Sequence, residues 1–313
     1  MSTWTAALGY AGIRDPRLRQ DYGTQRRLVR RFDSRAYLAV RLLLPPRLHP
    51  PIVAAVAFMH ETDERVDSGN VEARQAALRS WDQRVSVALE EGGSDDSMLR
   101  TLADTVRRHP HMASRVKDFL AAASVEASWT GSETEDDFQR YVTAYSLPAL
   151  MLMASFLAPP SEGDRSGPFH QGCRQLIEAW QRIDHLVDLG QDAEQGKVGI
   201  PHSALAEYGL KPGDLRSRPA RNDAAVGRLI NTQALLAGRA LTSSRMLPEL
   251  VEQEFRPFLM ALISLQELRL GALLRQSGDA LKGGVRPPVV QTVGMLARQF
   301  RQARKLRRRR RSR

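Results

Sequence analysis

Asp63 and Asp67 stand four apart in "HETDERVDSG", directly after the apolar stretch "IVAAVAFM". On a helix, positions i and i+4 share a face, and like charges there repel by roughly 0.2–0.5 kcal/mol. One such pair is weak evidence, because a chain with this many aspartates produces one by chance. A second cluster changes the weight. "DHLVDLGQD" brings Asp184, Asp188 and Asp192, expected on successive turns of one helix face, again after an apolar run, "LIEAW".

Two acidic clusters on long apolar helices suit the binding of several Mg²⁺ ions. Mg²⁺ takes oxygen ligands and is commonly held by one or two carboxylates together with substrate phosphates. The ions would neutralise a diphosphate and make it a better leaving group. Loss of diphosphate from an allylic donor leaves a carbocation, which a dry apolar cavity protects from water. The competing reading is a solvated acidic face paired with neighbours such as Arg65 and His185. Trp180 and Tyr141 offer ring faces to a cation, although a packing role is the simpler account of Trp180. Cys173 reads as a small buried hydrophobe.

The elements that must hold these residues are helical. Apolar residues recur at three-to-four spacing over 24–44, up to Pro45-Pro46. A second helix is expected over 50–67, opening on prolines, and a third over 72–92, ending in Gly92-Gly93. A capping box from Ser132 to Glu135 opens the segment 132–158, with a kink or break at Pro148. Long helical segments follow at 167–196, 222–246 and 250–284, and a last helix starts near Pro287-Pro288. Gly- and Pro-rich pieces at 92–94, 159–168 and 211–213 are loop-sized. No alternating β-branched runs and no 20–50-residue repeat are present. The expectation is an all-α, single-domain bundle around a central cavity: an N-terminal segment 1–20, a helical domain 21–303 and a basic disordered tail 304–313.

The chain has 313 residues, 42% of them apolar, enough for a sizeable core. Its single cysteine rules out an intrachain disulfide framework. No secretory signal is visible at the start. The apolar run "LPALMLMASFLAPP" is too short to span a membrane, which takes about 20 residues, so a cytoplasmic location is expected. The net charge of +11 is concentrated in "RKLRRRRRSR", which has eight basic residues and no acid. The tail reads most simply as a solvated terminus. Peripheral contact with an anionic membrane surface is its alternative use, and no nucleic-acid partner is expected.

Taken in order, these segments resemble the squalene/phytoene synthase family of all-helical prenyltransferases, from about Phe32 to about Arg286. "DSRAYLAVRLLLPP" is similar to the family's first helix, which places Ser34 and Arg35 on the diphosphate. "FMHETDERVDSG" resembles the first aspartate-rich motif, with Asp63 and Asp67 as metal ligands. Tyr141 in "YVTAYSLPALM" matches a family Tyr. "QRIDHLVDLGQDAEQGKVGIP" resembles the second motif. It puts Gln181 and Lys197 on the diphosphate and Asp184, Asp188 and Asp192 on metal, Asp184 standing where Asn is usual. Arg286 in "ALKGGVRPPVV" matches a late phosphate contact.

Departures from the family pattern are as informative. Ala36 stands for a second Ser, His60 for an Arg that would reach the diphosphate, Gln191 for an acid, Gly199 for a Tyr, and Arg269 for another Tyr. "YSLPALM" has Leu and Pro where small residues let a long prenyl chain pass. The resemblance with these changes implies an Mg²⁺-dependent enzyme that ionises one allylic diphosphate, dimethylallyl diphosphate being the favoured donor. It would transfer the prenyl group to an aromatic acceptor of the carbazole type, as diverted family members do in secondary metabolism and antibiotic biosynthesis. His60 or the released diphosphate would take the proton on rearomatisation. Two alternatives stand beside it: a head-to-head synthase joining two farnesyl or geranylgeranyl diphosphates, and an inactive helical scaffold whose tail binds polyanions.

Overall fold

The computed structural model describes residues 3–159, 167–216, 223–275 and 285–311. Among these residues there are helices and connecting turns but no strand. The chain opens with α1 (Trp4–Tyr10), α2 (Pro16–Phe32) and α3 (Ser34–Leu43). The single helix expected over 24–44 is therefore two. Asp33 breaks it, because its carboxylate accepts from the amides of Arg35 and Ala36 and so caps α3 rather than continuing α2. The boundary expected at residue 21 falls inside α2, whose Tyr22 is fully buried.

α4 (His49–Asp67) and α5 (Val71–Glu90) match the expected segments closely. α4 is buried along most of its length and packs against α2 and α5, as an apolar helix without a strong polar face must. α6 (Ser97–Arg108) and α7 (Met112–Glu126) fill a stretch for which no element was expected. Phe58, Trp81 and Phe119 from α4, α5 and α7 form an aromatic core beneath the end of α4.

α8 (Glu135–Tyr141) starts three residues later than expected, because the capping box is Thr134 with Asp137, not Ser132 with Glu135. A π-helical turn, Val142–Ser146, then leads into α9 (Leu147–Ala154). Pro148 is the second residue of α9 and directly follows the π turn, so the expected break is a local widening of a continuous helix. α10 (Pro168–Val187) is followed by α11 (Leu189–Glu194), so the segment 167–196 also divides. Asp188, with φ −99° and ψ 7°, lies at the join. The three aspartates thus span a helix end and its bend, not one uninterrupted face.

α12 (His202–Ala206), α13 (Asp223–Ser244), α14 (Arg256–Arg275) and α15 (Val289–Arg311) complete the bundle. By length and composition α14 is apolar enough to cross a membrane. It packs instead against α10, α13 and α15 and buries Leu259, Ile263, Gln266 and Leu273. α15 is helical to Arg311, which corrects the expected disordered tail: Arg307 donates to the carbonyl oxygens of Leu42 and Leu44 at the end of α3. Parts of the expected elements at 159–168, 222–246, 250–284 and 304–313 lie outside the described residues.

Candidate active site

Three helices end in carboxylates. Asp63 and Asp67 close α4, Glu126 is the last residue of α7, and Asp184 and Asp188 close α10. A helix C-terminus carries about half a negative charge, so acids there are disfavoured. Asp63 is half-buried, and its Oδ1 is buried with no hydrogen-bond partner. Burial first, then Asp67, Glu126 and Glu64, push its carboxyl up to about 7. Glu126 is raised chiefly by burial and also has an unpartnered buried oxygen, Oε2. Glu126 was not anticipated from the sequence. It has no acid four residues away, and only the pattern of an apolar helix ending in a carboxylate marks it.

The neighbours expected to neutralise a merely structural acidic face are turned elsewhere. Arg65 bonds Glu61 and lies 4.0 Å over the Trp81 ring. His185 is buried, bonds Gln181 at 2.9 Å, and is pushed down to about 4 by burial and then by Arg182. Neither answers the aspartates.

Tyr141 is buried and hydrogen-bonded to Glu126. Burial and then Glu126 raise its hydroxyl, so it stays protonated. Its ring lies 4.6 Å from Trp129 and 5.4 Å from Tyr145. The π turn sets this arrangement. It places Tyr145 among the charges of Asp63, Glu126 and Asp67, and Ser146 donates to Gln181 Oε1 at 3.2 Å. Gln181, expected on the diphosphate, is thus held by Ser146 and His185 and ties α10 to the turn. A crevice of about 320 Å³ lies on the Trp129, Tyr141 and Ala144 side of this turn.

In the second cluster, Asp192 is half-buried and pushed up to about 6 by burial and then by Asp188. Lys197 is exposed, and its charge acts on both Asp192 and Glu126. Asp184 differs from the other acids. Arg269 of α14 donates to its Oδ1 at 2.5 Å, and Trp180 also bonds it. Burial still raises it. Arg269 further donates to Gln266 at 3.2 Å.

Two of the departures in sequence are met by local compensation. An acid at 184 is paired with an arginine at 269. At Gly199 a Cβ would come within 2.3 Å of the His185 ring, so His185 takes the space a side chain there would need. His60 stacks on Phe32 with centroids 4.1 Å apart, its Nδ1 3.9 Å from Glu64. Ser34 and Arg35 are exposed at the start of α3, two and three residues beyond that ring. Arg286 is exposed just before α15.

The donor set suits a hard cation: oxygen atoms only, raised carboxyls and an orphaned buried Asp63 oxygen. No three Asp, Glu, His or Cys side chains converge into a ready chelate among the described residues. That suits Mg²⁺, which keeps waters and takes oxygens from a phosphorylated substrate, better than an ion needing an all-protein cage.

Residues 29–293 match the family described as squalene/phytoene synthase. The chain is 26% identical over 182 residues to a chloroplastic phytoene synthase of Cucumis melo, a match covering 57% of this chain but only 43% of the relative. It is 25% identical over 206 residues to the 15-cis-phytoene synthase of Synechococcus elongatus, covering 63% of this chain and 66% of the relative. The matched region thus spans less than half the length of the plant relatives. Among solved structures, a dehydrosqualene synthase in complex with ligand superposes with a TM-score of 0.77 at 18% identity, covering 92% of this chain and 98% of that one. The squalene synthase HpnC from Alicyclobacillus acidocaldarius superposes with a TM-score of 0.73 at 20% identity, covering 86% and 98%.

Proposed function

Because the chain belongs to the squalene/phytoene synthase family of prenyltransferases, which act on isoprenyl diphosphates, we propose that it is an Mg²⁺-dependent prenyltransferase that ionises a single allylic diphosphate. Dimethylallyl diphosphate is the favoured donor and an electron-rich aromatic of the carbazole type the acceptor. The observation that carries this reading is the Arg269–Asp184 pair. In this reading Asp184, expected among the metal ligands, is answered by Arg269 instead, and His60 stands where the family's Arg would reach a second diphosphate. The remaining acids and cations serve one diphosphate.

Asp63 and Asp67 on one side, and Asp188 and Asp192 on the other, would hold the metal. Bound Mg²⁺ would neutralise the diphosphate and assist its departure. Ser34, Arg35, Lys197 and Arg286 contact the phosphate oxygens. The allylic C–O bond breaks and its electron pair leaves with the diphosphate. The ring faces of Tyr141 and Tyr145 flank the cation, the acceptor carbon forms the new C–C bond, and His60 or the diphosphate takes the ring proton. Asp63→Ala and Asp188→Ala are expected to abolish turnover with the fold intact by circular dichroism. Unchanged turnover in either overturns the metal assignment.

The head-to-head reading is favoured by a different observation, the match to phytoene synthases. In that case farnesyl or geranylgeranyl diphosphate alone gives a C30 or C40 product.

A further inference from the structure

Val290, Val293, Ala297, Arg301 and Arg304 lie along one exposed face of α15. Steps of three and four residues keep them within a narrow stripe about 21 Å long. The opposite face, Met295, Gln299 and Ala303, is buried against the bundle. The two ends of the stripe differ in chemistry. Its first turn exposes three valines: Val289 is 74% exposed, Val290 85% and Val293 59%. These are three of the most exposed large apolar residues among those described. Its second half presents Arg301 and Arg304, flanked by Arg298 and Lys305, all exposed. The helix contains no acidic residue.

The stripe is also rigidly mounted. Arg307, on the side turned toward α3, bonds the Leu42 and Leu44 carbonyl oxygens. The exposed cations therefore belong to a fixed surface and not to a frayed end. A nucleic acid would use the cations but gain nothing from three adjacent valines. An anionic bilayer uses both, since apolar side chains enter the acyl boundary while cations meet the headgroups.

We propose that this face of α15 docks the protein peripherally on an anionic lipid surface. The valine end dips below the headgroups, and Arg298, Arg301, Arg304 and Lys305 lie along them. The valine end begins three residues after Arg286, so the docked face starts beside one of the candidate diphosphate contacts. The proposal is independent of which acceptor the enzyme uses.

Co-sedimentation of the full chain with vesicles of phosphatidylcholine, with and without 30% phosphatidylglycerol, tests it. The expected result is binding to the anionic vesicles, at least tenfold weaker on neutral ones and weakened by salt. Each cation near such a surface strengthens binding about fivefold, so Arg301→Glu/Arg304→Glu is expected to weaken binding by well over tenfold. Val290→Asp/Val293→Asp should weaken it at least tenfold. Thermal melts of both variants should match the parent, since these side chains are exposed. Absence of vesicle binding by the parent protein overturns the proposal. So does an unchanged affinity in the valine variant. Binding to single-stranded RNA as tightly as to anionic vesicles, indifferent to the valine changes, identifies a general polyanion surface and overturns it as well.

Discussion

Arg269 donates to Asp184 across 85 positions of sequence, joining α14 to α10 at 2.5 Å. Each residue alone departs from the family pattern, and together they form one compensated replacement. A lone acid there would add charge to an already repulsive cluster, and a lone arginine would be half-buried without its partner.

Arg269→Ala is expected to destabilise the protein by about 1–2 kcal/mol, less than a fully buried pair because both side chains keep some solvent contact. Asp184→Asn should cost less, and Asp184→Asn/Arg269→Tyr should recover most of the loss. A double-mutant cycle in urea measures this. Additive effects would show that the pair is not coupled.

This pair also shows where sequence reading stopped. The aspartates were legible because i, i+4 spacing and a preceding apolar run are local signals. So were α4 and α5, whose apolar pattern and Pro or Gly boundaries agree. Arg269's partner lies on another helix, and no spacing rule reaches it. Glu126 was missed because it stands alone at the end of α7. The breaks at Asp33 and Asp188 were missed because periodicity runs through both: at Asp33 a side-chain cap ends one helix and starts the next, and at Asp188 the backbone bends while its i→i−4 bonds continue. The capping box moved from Ser132 to Thr134 because two overlapping candidates satisfy the same pattern.

Asp63→Asn should make the metal-free protein more stable and inactive. Removing a buried, unpartnered charge is expected to stabilise by about 1–3 kcal/mol at pH 8. Denaturant unfolding in EDTA checks it. A destabilised variant would mean that the Asp63 charge is satisfied in the metal-free fold.

The same site sets a pH dependence. The folded carboxyl of Asp63 sits near 7, against an ordinary 3.8 in the unfolded chain. Between those values the folded state holds the extra proton, so this contribution to stability is full at the acid end and is lost as pH rises to about 7. Asp192, at about 6, acts in the same direction. Buried His185, at about 4, and His49, at about 3, oppose it below pH 6.5, because the unfolded chain binds their protons. The melting-temperature difference between Asp63→Asn and the parent isolates Asp63. It should widen from pH 5 to pH 8 in EDTA, and a constant difference would contradict the assignment.

Gly199→Ala forces a Cβ into the His185 ring. A loss of about 1–3 kcal/mol is expected, with partial recovery in Gly199→Ala/His185→Ala. Thermal unfolding of the three variants checks it. A neutral single substitution would show that His185 moves freely.

The most direct test of the whole account is product analysis by mass spectrometry. The protein is incubated with Mg²⁺ and dimethylallyl, farnesyl or geranylgeranyl diphosphate, with and without a carbazole acceptor. The account predicts a prenylated acceptor and diphosphate release from dimethylallyl diphosphate, abolished by EDTA, and no C30 or C40 hydrocarbon. A squalene- or phytoene-type product from farnesyl or geranylgeranyl diphosphate alone would contradict it.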